Sequence, residues 1–196
     1  MTTSRREFLM AATAAAALTR PGLGATTDWG YPDGAFRVGL NENPLGPSPR
    51  ALKAMAAALA QGHRYPKPQA LFERLARLHG VEPEWIVLGC GSGELLRIIP
   101  PALARDGEIV TVREAYRSVP SSAERLKIPV QMVPVDAEFR HDLDAMGRAI
   151  HSGTRVVVVC NPNNPTGTVL PANAVRQFAE SIPEHAVCVI DEAYIH

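Results

Sequence analysis

The sequence predicts an α/β protein: a mostly parallel sheet with helices on both faces. After residue 80, short apolar runs alternate with helix-like segments, the order of strand, crossover helix and next parallel strand. The most apolar of these runs, Val156–Cys160, has no alternating polar positions, as expected of a strand covered on both sides. The chain has 196 residues, 46% of them hydrophobic, enough to bury a core in about one or two domains. Lys plus Arg and Asp plus Glu number 20 each, so charge argues against nucleic acid as a partner. Cys90, Cys160 and Cys188 are too few and too scattered for a disulfide framework, and no pair has zinc-ligand spacing. Cys160 and Cys188 read as small buried hydrophobes. The six histidines lack metal spacing, so none is given a role and no metal is expected.

Residues 1–25 read as an export signal. Arg5-Arg6-Glu7-Phe8-Leu9-Met10 precedes a small apolar run from Ala11 to Leu18, and small residues end the segment at Gly24-Ala25. Paired arginines directly before Phe-Leu resemble a twin-arginine address, which is read by a receptor and is not an anchor. The run is too short to remain as a membrane-spanning helix, so contact with a membrane is expected only during export to the periplasm or beyond. Removing Arg5, Arg6, Arg20 and Glu7 with the signal leaves 17 basic residues against 19 acidic, still near neutral.

Residues 28–47, rich in Pro, Gly and Asn, read as an extended arm. Ser48-Pro49 opens an Ala-rich helix as N-cap and first helical residue; it stops at Gly62. After the turn Tyr65-Pro66-Lys67-Pro68, a second helix carries Leu71, Leu75 and Leu78 and ends at Gly80. Trp85–Leu88 reads as a short strand, and the helix after it runs from about Gly93 to Ala104. The remaining pattern predicts strands over Glu108–Val112, Val130–Val135, Val156–Cys160 and Ala186–Ile190. Helices are predicted over Tyr116–Leu126, Leu143–Ile150 and Val175–Ile182.

Two motifs carry chemistry. Gly89-Cys90-Gly91-Ser92-Gly93-Glu94 precedes a helix. Its glycines let backbone approach a ligand, and the free N–H groups of a helix start favour a phosphate. The dinucleotide fingerprint fails because Glu94 occupies the third glycine position. Taken alone the loop is also compatible with an S-adenosylmethionine-dependent methyltransferase or a plain tight turn. The second motif, Asn161-Pro162-Asn163-Asn164-Pro165-Thr166-Gly167, follows the most apolar strand and is long and specific for a mere turn.

The Asn-Pro-x-Asn-Pro-Thr-Gly loop, followed about two dozen residues later by Asp191-Glu192-Ala193-Tyr194, resembles the fold-type-I pyridoxal-phosphate-dependent aminotransferases. Leu40-Asn41-Glu42-Asn43-Pro44-Leu45-Gly46-Pro47-Ser48-Pro49 and Arg64-Tyr65-Pro66-Lys67-Pro68 look like the arm and turn of the histidinol-phosphate branch, so the resemblance covers roughly residues 38–195. It implies the PLP-binding large domain over residues 81–196, incomplete at its C-terminus, preceded by an arm and helices over 26–80.

The resemblance also implies roles. Pyridoxal phosphate acts as an electron sink and needs a carboxylate at its pyridine nitrogen; Asp191 matches. Asn164 and Tyr194 match the partners of the ring's phenolic oxygen, Tyr116 the aromatic stacked on the ring, and Ser92, Gly93 and Glu94 the backbone phosphate cradle. Tyr65 matches a tyrosine sent across a homodimer interface to the partner's phosphate. Blander readings stand beside these: a helix cap for Asp191, packing for Tyr116, a turn for Tyr65. Val119 stands where the family often has a second aromatic, and Gly93 where it often has an acid. The family's cofactor-linked lysine follows Asp-Glu-Ala-Tyr. Lys53, Lys67 and Lys127 do not match it, so no catalytic residue is assigned and the chain alone is expected to be inactive. The implied activity is amino transfer between an amino acid or amino-alcohol phosphate and a 2-oxo acid, both small molecules. The alternatives are a non-catalytic fragment or pseudoenzyme and, further off, an amino-acid-phosphate decarboxylase or the methyltransferase.

Overall fold

The computed structural model describes residues 39–43 and 45–195. The export signal and the arm up to residue 38 lie outside the described residues. The chain divides into two compact units, the first ending at Pro66 and the second beginning at Lys67.

In the first unit, helix α1 spans Pro49–Ala58 and tightens into a 3-10 turn at Leu59–Gln61. Its start is built as the sequence predicts: Ser48 Oγ accepts from Ala51 N at 3.2 Å, and Pro49 fills a position whose N–H would have no helical acceptor. Tyr65 lies 98% exposed.

The second unit opens with α2, Gln69–His79, which Gly80 ends with φ +66°, a left-handed conformation that glycine adopts without strain. Trp85–Leu88 departs from expectation. Pro83–Trp85 forms one 3-10 turn and no strand follows; Trp85 is 78% and Val87 71% exposed. An apolar run becomes a strand only where another strand takes its backbone hydrogen bonds, and among the described residues none flanks this one.

From there the alternation holds. In order come α3 (Ser92–Leu103), β1 (Glu108–Val112), α4 (Ser118–Arg125), β2 (Val130–Val133), α5 (Leu143–Ala149), β3 (Thr154–Cys160), α6 (Ala172–Ser181) and β4 (Val187–Asp191). The four strands form one parallel sheet in the order β2-β1-β3-β4. Helix α4 begins at Ser118, not Tyr116, which leaves Tyr116 in the connection after β1.

Period-two alternation divides the core between the two faces. On one side Ile109, Val156 and Val158 pack with Leu96, Val119 and Ala123 of α3 and α4. On the other, Val110, Val112, Val157 and Val159 pack with Met146 of α5 and Phe178 of α6. Val119 is 1% exposed and belongs to the first cluster, so this position serves the core and not a ligand. Cys160 is buried as expected, whereas Cys188, on the outer strand β4, is only half-buried.

The strand order reverses at β1: the chain passes to β2 on one side and to β3 on the other. In such sheets the connections after the two central strands diverge and leave a crevice at their carboxyl ends. Residues 113–117 follow β1 there, and the Asn-Pro loop follows β3.

Candidate active site

Asp191 ends β4, and register pairs it with Cys160, the last residue of β3. The residue is thereby held at the rim of the sheet, 7% exposed. Oδ1 accepts from Ala193 N at 3.2 Å, so the capping role open to an aspartate here is filled. Oδ2 lies 3.7 Å from Cys160 Sγ. Burial is the main cause that pushes the Cys160 thiol up to about 11, so it stays a neutral donor and not a nucleophile.

The loop after β3 is pinned from both ends. Asn161 N donates to Asp191 O at 2.9 Å, and the Asn161 amide exchanges bonds with Leu170, at 2.8 and 3.2 Å. Asn163 N donates to Thr168 O, and Gly167 N to Asn163 O. Gly167 has φ +70°, which closes that turn. Both Asn-Pro bonds, 161-162 and 164-165, are cis. Asn164 Nδ2 lies 3.3 Å from Tyr194 Oη, across 30 residues of sequence.

The glycine loop builds the third side. Gly91, with φ +80°, caps α3, and Glu94 folds back so that Oε2 accepts from Cys90 N at 2.6 Å. Glu94 N donates to Gly91 O at 3.3 Å, which engages one of the three donors expected for a phosphate. Ser92 and Gly93 remain as the first two N–H groups of a helix, which have no intrahelical acceptor. Ser118 Oγ donates to Gly93 O at 3.2 Å, and a Cβ on Gly93 would stand 3.5 Å from Tyr116 Oη, so α3's start and Tyr116 meet. Tyr116, 45% exposed, and Asn164 both line an open cleft of about 660 Å³.

Of the residues expected from sequence, Ser92, Gly93, Glu94, Tyr116, Asn164, Asp191 and Tyr194 all lie at the carboxyl-end rim of the second unit's sheet. Tyr65 belongs to the first unit. Among the described residues no group of three or more His, Cys, Asp or Glu could hold a metal. Three residues that sequence reading left without a role stand directly behind the site: Cys160, Asn163 and His141. Cys160 was visible as the last residue of its strand. His141 gave no signal, because its partner Asn163 lies 22 residues away.

His141 is 3% exposed, and burial lowers its imidazole pKa below the ordinary 6.5. The unfolded chain therefore takes up a proton that the folded protein resists. Stability should be constant above about pH 6.5 and fall as the pH drops below it, by at most about 1.4 kcal/mol per pH unit from this group. Urea midpoints between pH 5 and 8 test this, and His141→Gln should flatten the decline.

A buried carboxylate, an amide–phenol pair and a helix start thus gather at the carboxyl-end rim of a parallel α/β sheet, where such sheets take small-molecule ligands. Residues 35–196 match the aminotransferase class I and II family, and the chain belongs to it. Its relatives include the histidinol-phosphate aminotransferase of Symbiobacterium thermophilum, 42% identical over 164 residues, covering 81% of this chain and 44% of that protein. The aromatic amino acid aminotransferase of Cutibacterium acnes is 39% identical over 170 residues, covering 84% and 47%. The crystal structure of histidinol-phosphate aminotransferase from Sinorhizobium meliloti in complex with pyridoxal-5'-phosphate superposes with a TM-score of 0.74 at 31% identity, covering 80% and 44%. The chain thus spans about half the length of the relatives it matches.

Proposed function

We propose that this chain forms the pyridoxal-phosphate-binding part of an aminotransferase that moves an amino group between an amino acid or amino-alcohol phosphate and a 2-oxo acid. The observation that carries the reading is the 3.3 Å contact of Asn164 with Tyr194, three residues past the buried Asp191. Once bound, the cofactor supplies an electron sink for the substrate's α-carbon. The donor set suits it. Asp191 would hold a proton at the pyridine nitrogen. The Asn164 amide and the Tyr194 hydroxyl would bind the phenolic oxygen, the Tyr116 ring would pack on the cofactor ring, and the N–H groups of Ser92 and Gly93 would take the phosphate. Relatives of both the histidinol-phosphate and the aromatic kind support amino transfer as the reaction.

Lys53, Lys67 and Lys127 are not proposed as the cofactor-linked lysine, because none stands at the matching motif position. Lys53 lies on α1, Lys67 precedes α2, and Lys127, φ +58°, sits between α4 and β2, at the amino end of the sheet and opposite Asp191. Mixing the purified chain with pyridoxal phosphate, reducing with borohydride and mapping adducts by mass tests the arrangement. Saturable cofactor binding without a stoichiometric adduct on any of these lysines is the expected result. A stoichiometric adduct with amino transfer overturns the lysine assignment, and absence of binding overturns the cofactor reading.

Two further parts of the reading concern the chain's setting. A homodimer is proposed in which Tyr65 reaches a partner's phosphate site; its 98% exposure supports this. Export by the twin-arginine route is proposed from Arg5-Arg6-Glu7-Phe8-Leu9. Among the described residues no helix is long and apolar enough to cross a membrane. Replacing Arg5 and Arg6 by Lys should leave the precursor in the cytoplasm, and unchanged periplasmic recovery removes the export claim.

A further inference from the structure

We propose that His141 is a positioning residue for this site: it clamps Asn163 and so ties the segment carrying Tyr116 to the loop carrying Asn164. The proposal rests on the cofactor reading above. Asn163, 3% exposed, donates from Nδ2 to Glu114 O at 2.8 Å and to Thr166 Oγ1 at 2.8 Å. A carbonyl oxygen only accepts, so Nδ2 must face Glu114 and Oδ1 must face His141. Oδ1 lies 3.2 Å from His141 Nε2 and can only accept in turn. Nε2 therefore carries the hydrogen, and in the neutral ring Nδ1 is a bare lone pair, buried with no partner among the described residues. The imidazole's one proton is committed to Asn163.

The remaining bonds close a circuit. Thr168 Oγ1 donates to Phe139 O at 2.8 Å, so across the 2.8 Å contact between the two hydroxyls Thr166 is the donor. The direction runs Asn163, Thr166, Thr168, Phe139, and returns through the chain to His141. Three segments meet at Asn163: the connection after β1, the Asn-Pro loop and the lead into α5. Tyr116 is two residues from Glu114, and Asn164 is next to Asn163. A buried amide satisfied on every side fixes the loop in one arrangement, and removing the donor strands Oδ1 without water to replace it.

Hydrogen–deuterium exchange on the purified chain, without cofactor, is compared for the parent, His141→Gln and His141→Leu. The Gln side chain retains an N–H donor and Leu has none. Leu should speed exchange about tenfold in peptides covering 114–116 and 163–168 and spare the β3 core, while Gln should restore it to within about twofold. Dissociation constants for pyridoxal phosphate, read by absorbance, should follow the same order. Should His141→Leu not fold, Asn163→Asp reports the same link, because it keeps an oxygen for His141 and loses the donors to Glu114 and Thr166. Unchanged exchange at 114–116 in Leu and Asp, or a Gln variant as loose as Leu, overturns the clamp, even where cofactor still binds. The expected exchange pattern with a parent chain that binds no pyridoxal phosphate supports the clamp and rejects the cofactor reading instead.

Discussion

Asp191→Ala should lower amino transfer by about thirty- to thousandfold, the equivalent of roughly 2–4 kcal/mol for a lost buried, charge-assisted partner. The measurement is made on a protein joining residues 1–196 to the C-terminal half of the Symbiobacterium thermophilum relative. Asp191 is 7% exposed and held at the sheet rim by its register with Cys160, and among the described residues no other acid is buried. Asp191→Asn separates charge from shape: it keeps the bond to Ala193 N and loses the negative charge. Loss of activity in both variants assigns the effect to charge. Activity within about twofold of the parent in either shows that Asp191 is not the pyridine partner.

Val157→Asp should abolish the cooperative unfolding transition. Val157 is fully buried in β3, between β1 and β4, and its side chain packs in the cluster that includes Met146 and Phe178. An unpaired carboxylate there costs several kcal/mol, comparable with the roughly 5–15 kcal/mol that keeps a whole domain folded. Val169→Asp is the control, because Val169 is 58% exposed and a substitution there should change stability by no more than about 0.5 kcal/mol. Circular dichroism through a urea titration distinguishes the two. A sharp transition in Val157→Asp near the parent midpoint would contradict the two-faced core.

Much of the architecture was written locally. Ser48-Pro49 at a helix start, Gly80 at a helix end and the unbroken valines of β3 each act within a few residues, and each stands where the pattern puts it. Helix ends moved by a few residues where side chains could serve either state; Tyr116 fell outside α4 for this reason. The Trp85–Leu88 run fails as a strand because its apolar residues say nothing about whether a neighbour exists to accept its hydrogen bonds.

By itself, then, the sequence determined the α/β class, the order of the elements and the residue types that bear chemistry, because propensity, capping and motif spacing are short-range. Only the tertiary structure decided that Val119 faces the core. It also decided that Asn164 meets Tyr194 and that His141 stands behind Asn163. Those contacts join residues 22 and 30 positions apart. They follow from strand order and register, which bring distant loops to one rim of the sheet, and no local pattern in the chain encodes which loops will meet there.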